Sequence, residues 1–535
     1  MDFDDMLEEL GELGRFQITT YTLVCLPVLF AAANSLSYVF TAGVPNYRCF
    51  IPECEEAGNT HYETPWTDWA IPAEGDSNDV ISTKSTLCDM YKVNETYYNA
   101  SQTCTKDIFT DQIIQCNQWV FDETESTIVN EWNITCTENQ WKLSLIGSSH
   151  FAGIVVGSGL FGVLADRYGR KIIFIACILI MSLTGVLQVL SPEYITFVVL
   201  VFLNALGTSG VYPLAFIIGV EMVGKRKREV TGIVLNYFYA VGEALVALFA
   251  WYTKNWIYLQ LIVAAPPFLF LIYHWMVPES VRWLLANDKQ EKAKQIICKA
   301  AKVNNVILSS NVMDALKEVA PLHEMDKASI TEDKMLPVIK EMITSKTLLL
   351  RFAIVYFIWA VNAFVYYGLS INSTSLSGNK YINFALVSLI EIPGYTIAWV
   401  SIQKIGRRYA LILSLILCGL TCTLTIFVPS GMTWAIIVLF LCGKLGITSS
   451  FGIVYVHTAE MLPTIVRSGG VGSASTIARL GALLAPFVPL LGVYFKPLPM
   501  LLFGGTALTA GLLALKLPET LGIKLPETVE EAKKL

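Results

Sequence analysis

Twelve apolar runs set the rhythm of this sequence, each long enough to cross the roughly 30 Å hydrocarbon core of a bilayer. Six come first, at residues 18–40, 143–164, 172–190, 194–220, 231–252 and 256–277. A polar stretch, 287–345, interrupts. Six more follow, at 348–371, 382–402, 409–428, 432–455, 469–491 and 499–517. Each predicts a transmembrane helix, because a helix satisfies its own backbone polar groups in lipid. Ahead of the first run, residues 1–14 carry six acids with Met6, Leu7, Leu10 and Leu13 on one side. That spacing predicts a short amphipathic helix at the membrane face. The pattern divides the chain into an amphipathic N-terminus (1–17), a six-helix half (18–277), a polar loop (278–347), a second six-helix half (348–517) and a tail (518–535).

The two halves echo each other. The stretch Gly162-Val-Leu-Ala-Asp166-Arg167-Tyr-Gly169-Arg170-Lys171 between runs two and three returns as Gln403-Lys404-Ile-Gly406-Arg407-Arg408, a shift of 237 from Gly169 to Gly406. Glu221 followed by Arg228 matches Glu460 followed by Arg467, a shift of 239 between the acids. Pro278-Glu279-Ser280 matches Pro518-Glu519-Thr520 at a shift of 240. Three unrelated patterns at nearly one offset predict two copies of one unit. In each copy a basic loop pairs with a Glu at a helix end. Asp166, Arg167, Arg170, Glu221 and Arg228, with Arg407, Glu460 and Arg467, are therefore candidate gating residues.

Composition agrees with a polytopic membrane protein: 54% hydrophobic and 15% charged residues, with a mean hydropathy of +0.53. The net charge of −6 argues against nucleic acid as a partner. No leader is expected, since no small-residue cleavage site follows the first run. Basic residues gather at one set of loops, leaving Lys254, Lys380 and Lys496 in the short loops opposite. The basic side is thus read as cytoplasmic, with both termini inside and the plasma membrane as the location. The sequons at Asn94, Asn99, Asn133 and Asn372 all fall on the opposite side, and the first three are glycosylation candidates. The large outer loop, 41–140, holds Cys49, Cys54, Cys88, Cys104, Cys116 and Cys136. An even number in an oxidising compartment predicts three disulfides, with fifteen pairings open.

Enzyme chemistry finds no support. A Gly219-to-Arg226 stretch that looks like a phosphate loop ends in Arg and follows a membrane helix. The five histidines have no metal spacing, and no strand-borne Ser elbow is present. No cofactor and no catalytic residue is expected. What stands out is a set of charges inside the predicted spans: Glu243, Glu391, Lys444 and Arg479. Each is costly there and needs a partner or an aqueous cavity. Two acids and two bases sum to zero, so two internal ion pairs stand as one reading and a substrate role as the other. Glu243 shares a helix face with Asn236 and Tyr239, and Arg479 with Ser475 on a run rich in small residues. Trp359 and Tyr366 are seven apart, an aromatic face suited to a cation or to core packing.

The layout resembles the major facilitator superfamily, through the Gly162–Lys171 loop, its echo and the two-times-six pattern. Pro278-Glu-Ser-Val-Arg-Trp-Leu-Leu285 and Glu460-Met-Leu-Pro-Thr-Ile-Val-Arg467 are similar to its sugar-porter and organic-ion branches. The six-Cys loop, the start Leu10-Gly-Glu-Leu-Gly-Arg15-Phe16-Gln17 and the tail Leu525-Pro-Glu-Thr528 resemble the organic cation, anion and zwitterion (carnitine) transporter family alone. Tyr366-Tyr-Gly-Leu-Ser370, Glu391-Ile-Pro-Gly and Ala478-Arg479-Leu-Gly481 resemble the zwitterion members most, and Asn34 and Tyr212 fall where those members carry Asn and Tyr. Cation members have Asp where Arg479 stands, and anion members lack the acid at Glu391, so the chain mixes two patterns. Glu243 matches none of them.

The expectation is an all-α membrane protein of the major facilitator fold, with two pseudo-symmetric six-helix halves and a disulfide-stabilised extracellular loop domain. It would carry a small organic ion, a cation or a zwitterion such as carnitine, across the bilayer by alternating access. Organic anion transport and a non-transporting receptor or scaffold are the alternatives. Candidate substrate contacts are Asn34, Tyr212, Asn236, Tyr239, Glu243, Trp359, Tyr366, Glu391 and Arg479, with Lys444 as an intramembrane ion-pair member. A co-transported sodium ion or proton and a homo-oligomer are left open.

Overall fold

In a computed structural model, residues 3–55, 60–72, 88–94, 104–224, 227–308, 338, 340–429, 431–523 and 525–534 are described. The apolar runs become helices that overshoot the runs by a few residues, because polar and basic side chains extend them beyond the hydrocarbon. In the first half these are α2 (Arg15–Leu36, continued by α3, Tyr38–Thr41), α6 (Gln140–Tyr168), α7 (Arg170–Val189), α8 (Tyr194–Met222) and α9 (Arg228–Thr253). The sixth span breaks into α10 (Trp256–Ala264), a 3-10 turn at Pro266–Ile272 and α11 (Tyr273–Met276). Pro266 and Pro267 have no N–H to continue the α-helical ladder.

The second half has α14 (Lys346–Asn372), α15 (Lys380–Leu389) running into α16 (Glu391–Lys404), α17 (Arg407–Thr425) and α18 (Thr433–Met461). It closes with α19 (Arg467–Leu484), the short α20 (Val488–Tyr494) and α21 (Leu498–Ala514). Pro393 divides the eighth span as the prolines divide the sixth. Eleven of these spans are long and apolar enough to cross a membrane. The twelfth, α21, is shorter at 17 residues, about 25 Å of helix.

The halves are built alike. α2 packs on α9 as α14 packs on α19, and α7 on α8 as α17 on α18. Small residues make these approaches possible. A Cβ on Gly242 of α9 would stand 2.2 Å from the Leu29 carbonyl, and one on Gly481 of α19 would stand 2.2 Å from the Ala360 carbonyl. These two glycines are 239 apart, the offset already seen between Glu221 and Glu460. The halves meet where α9 lies against α15 and α16, and α6 against α19. The Tyr237 and Thr396 hydroxyls are hydrogen-bonded at 2.6 Å, and Ser148 Oγ donates to the Leu483 carbonyl at 2.8 Å.

The loop between α3 and α6 folds on its own scaffold. It contains strands the hydropathy pattern did not reveal. β1 (Tyr47–Cys49) pairs antiparallel with β4 (Trp119–Phe121), and β2 (Asp89–Val93) with β3 (Phe109–Gln115). Two short helices, α4 (Thr67–Ala70) and α5 (Ile128–Trp132), complete it. Of the fifteen pairings, the structure has Cys49–Cys116, Cys54–Cys104 and Cys88–Cys136. They close loops of 67, 50 and 48 residues, each worth about 4 kcal/mol in chain entropy. Arg48, 2% exposed, forks onto Glu55 at 2.8 and 2.9 Å at the centre. Glu125 ties this domain to the second half through Lys380 and through the Tyr381 hydroxyl, which donates at 2.7 Å. Asn133 is exposed, and the backbone N–H of Asn94 donates to the Ile108 carbonyl. Asn99 lies outside the described residues.

The amphipathic start corrects one expectation. α1 (Phe3–Glu9) lies not on the membrane face but against protein, with Met6 and Leu10 packed on Ile297, Ala300 and Ala301 of α13 (Gln290–Asn304). Asn304 locks it there, accepting from Phe16 N at 2.9 Å and donating to the Leu10 carbonyl at 3.0 Å. At the other end of the chain, α22 (Val529–Lys534) buries Val529 and Ala532 against Met342, Leu348 and Val466. Both chain ends thus dock on the same basic face.

The glycine contacts carry a stability prediction. Gly242→Ala and Gly481→Ala should each cost roughly 1–3 kcal/mol by overpacking against backbone, lowering the thermal midpoint of detergent-purified protein. Gly159→Ala, whose Cβ would meet nothing within 4 Å, should leave it unchanged. Equal midpoints for all three would refute the close-approach reading.

Candidate functional site

Charge enters the middle of the bundle on four helices. Glu243 comes from α9, Glu391 from the first turn of α16, Lys444 from the middle of α18 and Arg479 from α19. Glu243, Glu391 and Lys444 are all 0% exposed. Lys444 Nζ stands 2.8 Å from Glu391 Oε1. It also donates to Ser370 Oγ at 2.7 Å and to the Tyr366 carbonyl at 3.2 Å, and it lies 3.4 Å from the centroid of the Tyr366 ring. The Tyr366 hydroxyl in turn donates to Glu391 Oε2 at 2.7 Å. This is a closed network: an ammonium with three acceptors and a carboxylate with two donors, the condition for keeping an ion pair in a low-dielectric interior.

The reading of two internal ion pairs is therefore half replaced. Glu391 and Lys444 pair, but Glu243 and Arg479 do not pair with each other. Among the described residues no donor reaches either oxygen of Glu243. Arg479 is half-buried, and its guanidinium donates to Ser475 Oγ on its own helix at 2.8 Å, with no ion pair among the described residues. One acid and one base are left over, on opposite halves of the molecule.

Tyrosines surround these charges. Tyr212 and Tyr239 meet edge to face at 5.6 Å, and the Tyr212 hydroxyl donates to Asn236 Oδ1 at 2.8 Å. Tyr367 lies edge-on to Tyr366 at 5.0 Å and packs on Phe151 across the interface at 4.7 Å. Tyr395 faces Glu391, Glu243 and Tyr212, and Tyr455, 40% exposed, faces Tyr212 and Tyr367. Tyr367, Tyr395 and Tyr455 were not among the sequence candidates. The spacing of four from Glu391 to Tyr395 is the signal that could have found one of them.

Two sequence candidates drop back. Trp359 is fully buried, its indole N–H donates to Thr458 Oγ1 at 2.9 Å, and its ring sits 4.3 Å from Tyr455. It is the packing behind the aromatic wall, not its surface. Asn34 is 4% exposed and accepts from Asn204 Nδ2 at 3.4 Å, which makes it a helix-to-helix contact between α2 and α8.

The basic loops form a second constellation. Gly169 and Gly406 have φ of +115° and +101° and turn one helix directly into the next. A Cβ there would fall 2.5 Å from Glu279 Oε2 and 2.6 Å from Glu519 Oε2. The acids of the two Pro-Glu motifs were noticed only as a repeat. In the structure they accept the free N–H groups that open α7 and α17. Glu279 takes Lys171 N at 3.0 Å, and Glu519 takes Arg407 N at 2.8 Å and Arg408 N at 3.1 Å. Such helix starts favour a carboxylate. Burial would push the Glu519 carboxyl up, but the backbone donors of Leu521, Arg407, Thr520 and Arg408 hold it below the usual carboxylate range. Its stabilisation is thus present at neutral pH and lost only as pH falls through that lowered value.

Beside each acid, the loop arginine reaches the acid of the neighbouring helix. Arg407 forks onto Glu460 at 2.9–3.2 Å, and Thr520 Oγ1 adds a bond to the same carboxylate. In the first half the geometry is looser: Arg170 Nε is 3.7 Å from Glu221, and its Nη2 is 2.9 Å from Asp166. Arg467 caps carbonyls, donating to Ala459 and Leu462. Arg228 opens α9. Arg167 does not join Glu221 as expected; it is exposed and lies over the Tyr168 ring.

Comparison with known proteins decides the family. The sequence model of the family described as "Sugar (and other) transporter" matches residues 82–531. The Organic cation transporter protein of Drosophila melanogaster is 36% identical over 537 residues, 99% of this chain and 94% of that protein. The chain belongs to this family, in its organic-ion branch. Among its relatives there, Solute carrier family 22 member 3 of Mus musculus is 33% identical, covering 100% of this chain and 96% of that protein. Organic cation/carnitine transporter 2 of Mus musculus is 32% identical, covering 99% and 94%. Among solved structures of the family's fold, the inward-open xylose transporter XylE from E. coli superposes with a TM-score of 0.63 over 96% of this chain and 99% of that one. At 14% identity it speaks for the fold alone.

The closed network predicts an asymmetry. Lys444→Met should strand the Glu391 charge and cost roughly 3–5 kcal/mol, seen as lost surface expression. The double variant Glu391→Gln with Lys444→Met should recover much of it, since neither charge remains. Equal loss in single and double variants would show that the two side chains are not energetically coupled.

Proposed function

We propose that this protein carries small organic cations and zwitterions across the plasma membrane by alternating access, with both termini cytoplasmic. The supporting observation is the leftover acid and base facing each other across a tyrosine-lined centre between the halves. Lys444 neutralises Glu391, so Glu243 and the rings of Tyr239, Tyr367 and Tyr395 are placed to attract a positive group. Arg479 has room in front of its guanidinium and suits a planar carboxylate. One acid and one base across a cavity favour a zwitterion or amine-bearing substrate. The printed names of the relatives, cation and carnitine transporters, support the same class.

In this reading the protein is no enzyme, and the two arginine–glutamate latches hold one face closed while the other is open. The disulfide domain serves folding and assembly, with glycans on Asn94, Asn99 and Asn133.

The substrate assignment is tested by Arg479→Asp, with uptake of carnitine and of tetraethylammonium measured side by side in proteoliposomes. Carnitine uptake should fall to background while tetraethylammonium uptake is kept or rises. Equal loss of both would place Arg479 in the scaffold and remove the charge argument.

The latch assignment separates neighbours in one loop. Arg170→Ala and Asp166→Asn should slow initial uptake per surface copy severalfold, whereas exposed Arg167→Ala should change it little. A strong effect of Arg167→Ala with none from Arg170→Ala would reverse the assignment.

A further inference from the structure

The donor count at the centre of the bundle does not close without a proton. Lys444 Nζ has three N–H donors, and the structure gives it three acceptors: Glu391 Oε1, Ser370 Oγ and the Tyr366 carbonyl. The Tyr366 hydroxyl is committed to Glu391 Oε2. None of these is left for Glu243, which is 0% exposed and meets no donor on either oxygen among the described residues. Its polar neighbour across the interface is Glu391 itself, within hydrogen-bonding reach. Two carboxylates cannot hydrogen-bond each other, but a carboxylic acid and a carboxylate can, as in any pair of buried acids that shares a site.

The surroundings offer no other counter-charge. The titratable groups facing Glu243 are Glu391 and Tyr395 of α16, Lys444 of α18, Tyr366 and Tyr367 of α14 and Tyr239 of its own helix. α10 carries no charged residue. Arg15 sits at the far start of α2, Glu221 lies at the far end of α8 with Arg170, and Lys380 of α15 is spent on Glu125. Glu243 belongs to the first half and Glu391 to the second, so whatever bridges them spans the moving interface.

We propose that Glu243 and Glu391 hold one exchangeable proton between them, and that a substrate cation entering the site displaces it, making transport a one-for-one exchange of organic cation for proton. The proposal rests on the transport reading above and adds the coupling ion. With substrate absent, the three groups carry two carboxyls, one ammonium and one proton, for a net charge of zero. When a monovalent cation binds, the proton leaves from the Glu243–Glu391 pair and the substrate charge takes its place, so the site is again neutral. Neutrality at every stage is what lets the halves rock without carrying a bare charge through a low-dielectric centre. A cation loaded on one side thus sends a proton to the side from which the emptied site reloads.

The test uses purified full-length protein in liposomes. Potassium is equal on both sides with valinomycin, to hold the voltage at zero. Radiolabelled tetraethylammonium is the substrate, and trapped pyranine reports internal pH. An interior one pH unit more acidic than the medium should drive tetraethylammonium to about tenfold accumulation, since one-for-one exchange equates the two ratios. Adding tetraethylammonium without a pH gradient should make the interior alkaline. Glu243→Gln should abolish the pyranine signal and make any remaining uptake indifferent to the gradient. Glu243→Asp, which keeps a carboxyl, should retain both responses and so exclude simple misfolding. Uptake by the wild type that ignores the gradient and moves no proton would overturn the coupling while leaving the transport reading intact. Gradient-driven uptake surviving in Glu243→Gln would overturn the assignment to this residue. Absence of any tetraethylammonium or carnitine uptake would overturn the transport reading and the coupling together.

Discussion

A lysine and a glutamate sealed from solvent in the middle of a membrane bundle set the terms for everything around them. Leaving either charge bare there would cost several kcal/mol, so the fold must deliver partners to both. It does so from three helices at once. α14 supplies the Tyr366 hydroxyl, the Tyr366 carbonyl and Ser370, α16 supplies the carboxylate and α18 the ammonium. The Pro393 break lets Glu391 stand at the head of a helix, where freed N–H groups favour its charge. The same commitment of donors leaves Glu243 without one, and this makes the interface between the halves chemically distinctive.

Pseudo-symmetry governs structure at the basic face and fails at the centre. The turn glycines, the helix-start acids, the loop arginines and the close-packing glycines all recur between halves at shifts of 237 to 240. These devices solve a problem both halves share, which is joining long helices in opposite directions and holding their ends together. The ionisable groups do not recur. The position equivalent to Glu243 by the 239 offset is Ala482, and the position equivalent to Arg479 is Ala240. The scaffold is thus duplicated, while the site is an addition in which each half contributes a different charge.

The loop domain obeys different rules from the bundle. It lacks long apolar runs and holds itself together with three disulfides and the buried Arg48–Glu55 pair. It is bound to both halves: Ser126 exchanges backbone hydrogen bonds at the Lys254–Trp256 turn, and Glu125 reaches Lys380 and Tyr381. A domain strapped across both halves on one side and docked chain ends on the other frame the bundle where its halves must separate.

Much of the architecture was legible in the chain itself. Length and apolarity of the runs specify the spans, since lipid permits a crossing segment little besides helix. The repeated motifs specify two matched halves, and the six loop cysteines specify a disulfide domain. Individual contacts were not legible, because they depend on which faces meet. A stripe containing Trp359 and Tyr366 reads as one wall, yet packing puts Trp359 behind Tyr455 and turns Tyr366 onto an ion pair. The acids Glu279 and Glu519 lie more than a hundred residues from the helix starts they serve. Four mid-membrane charges sum to zero on paper. Only the tertiary fold decides that Lys444 goes to Glu391, leaving Glu243 and Arg479 on opposite halves, because pairing follows distance and donor number, and neither is written in the order of residues.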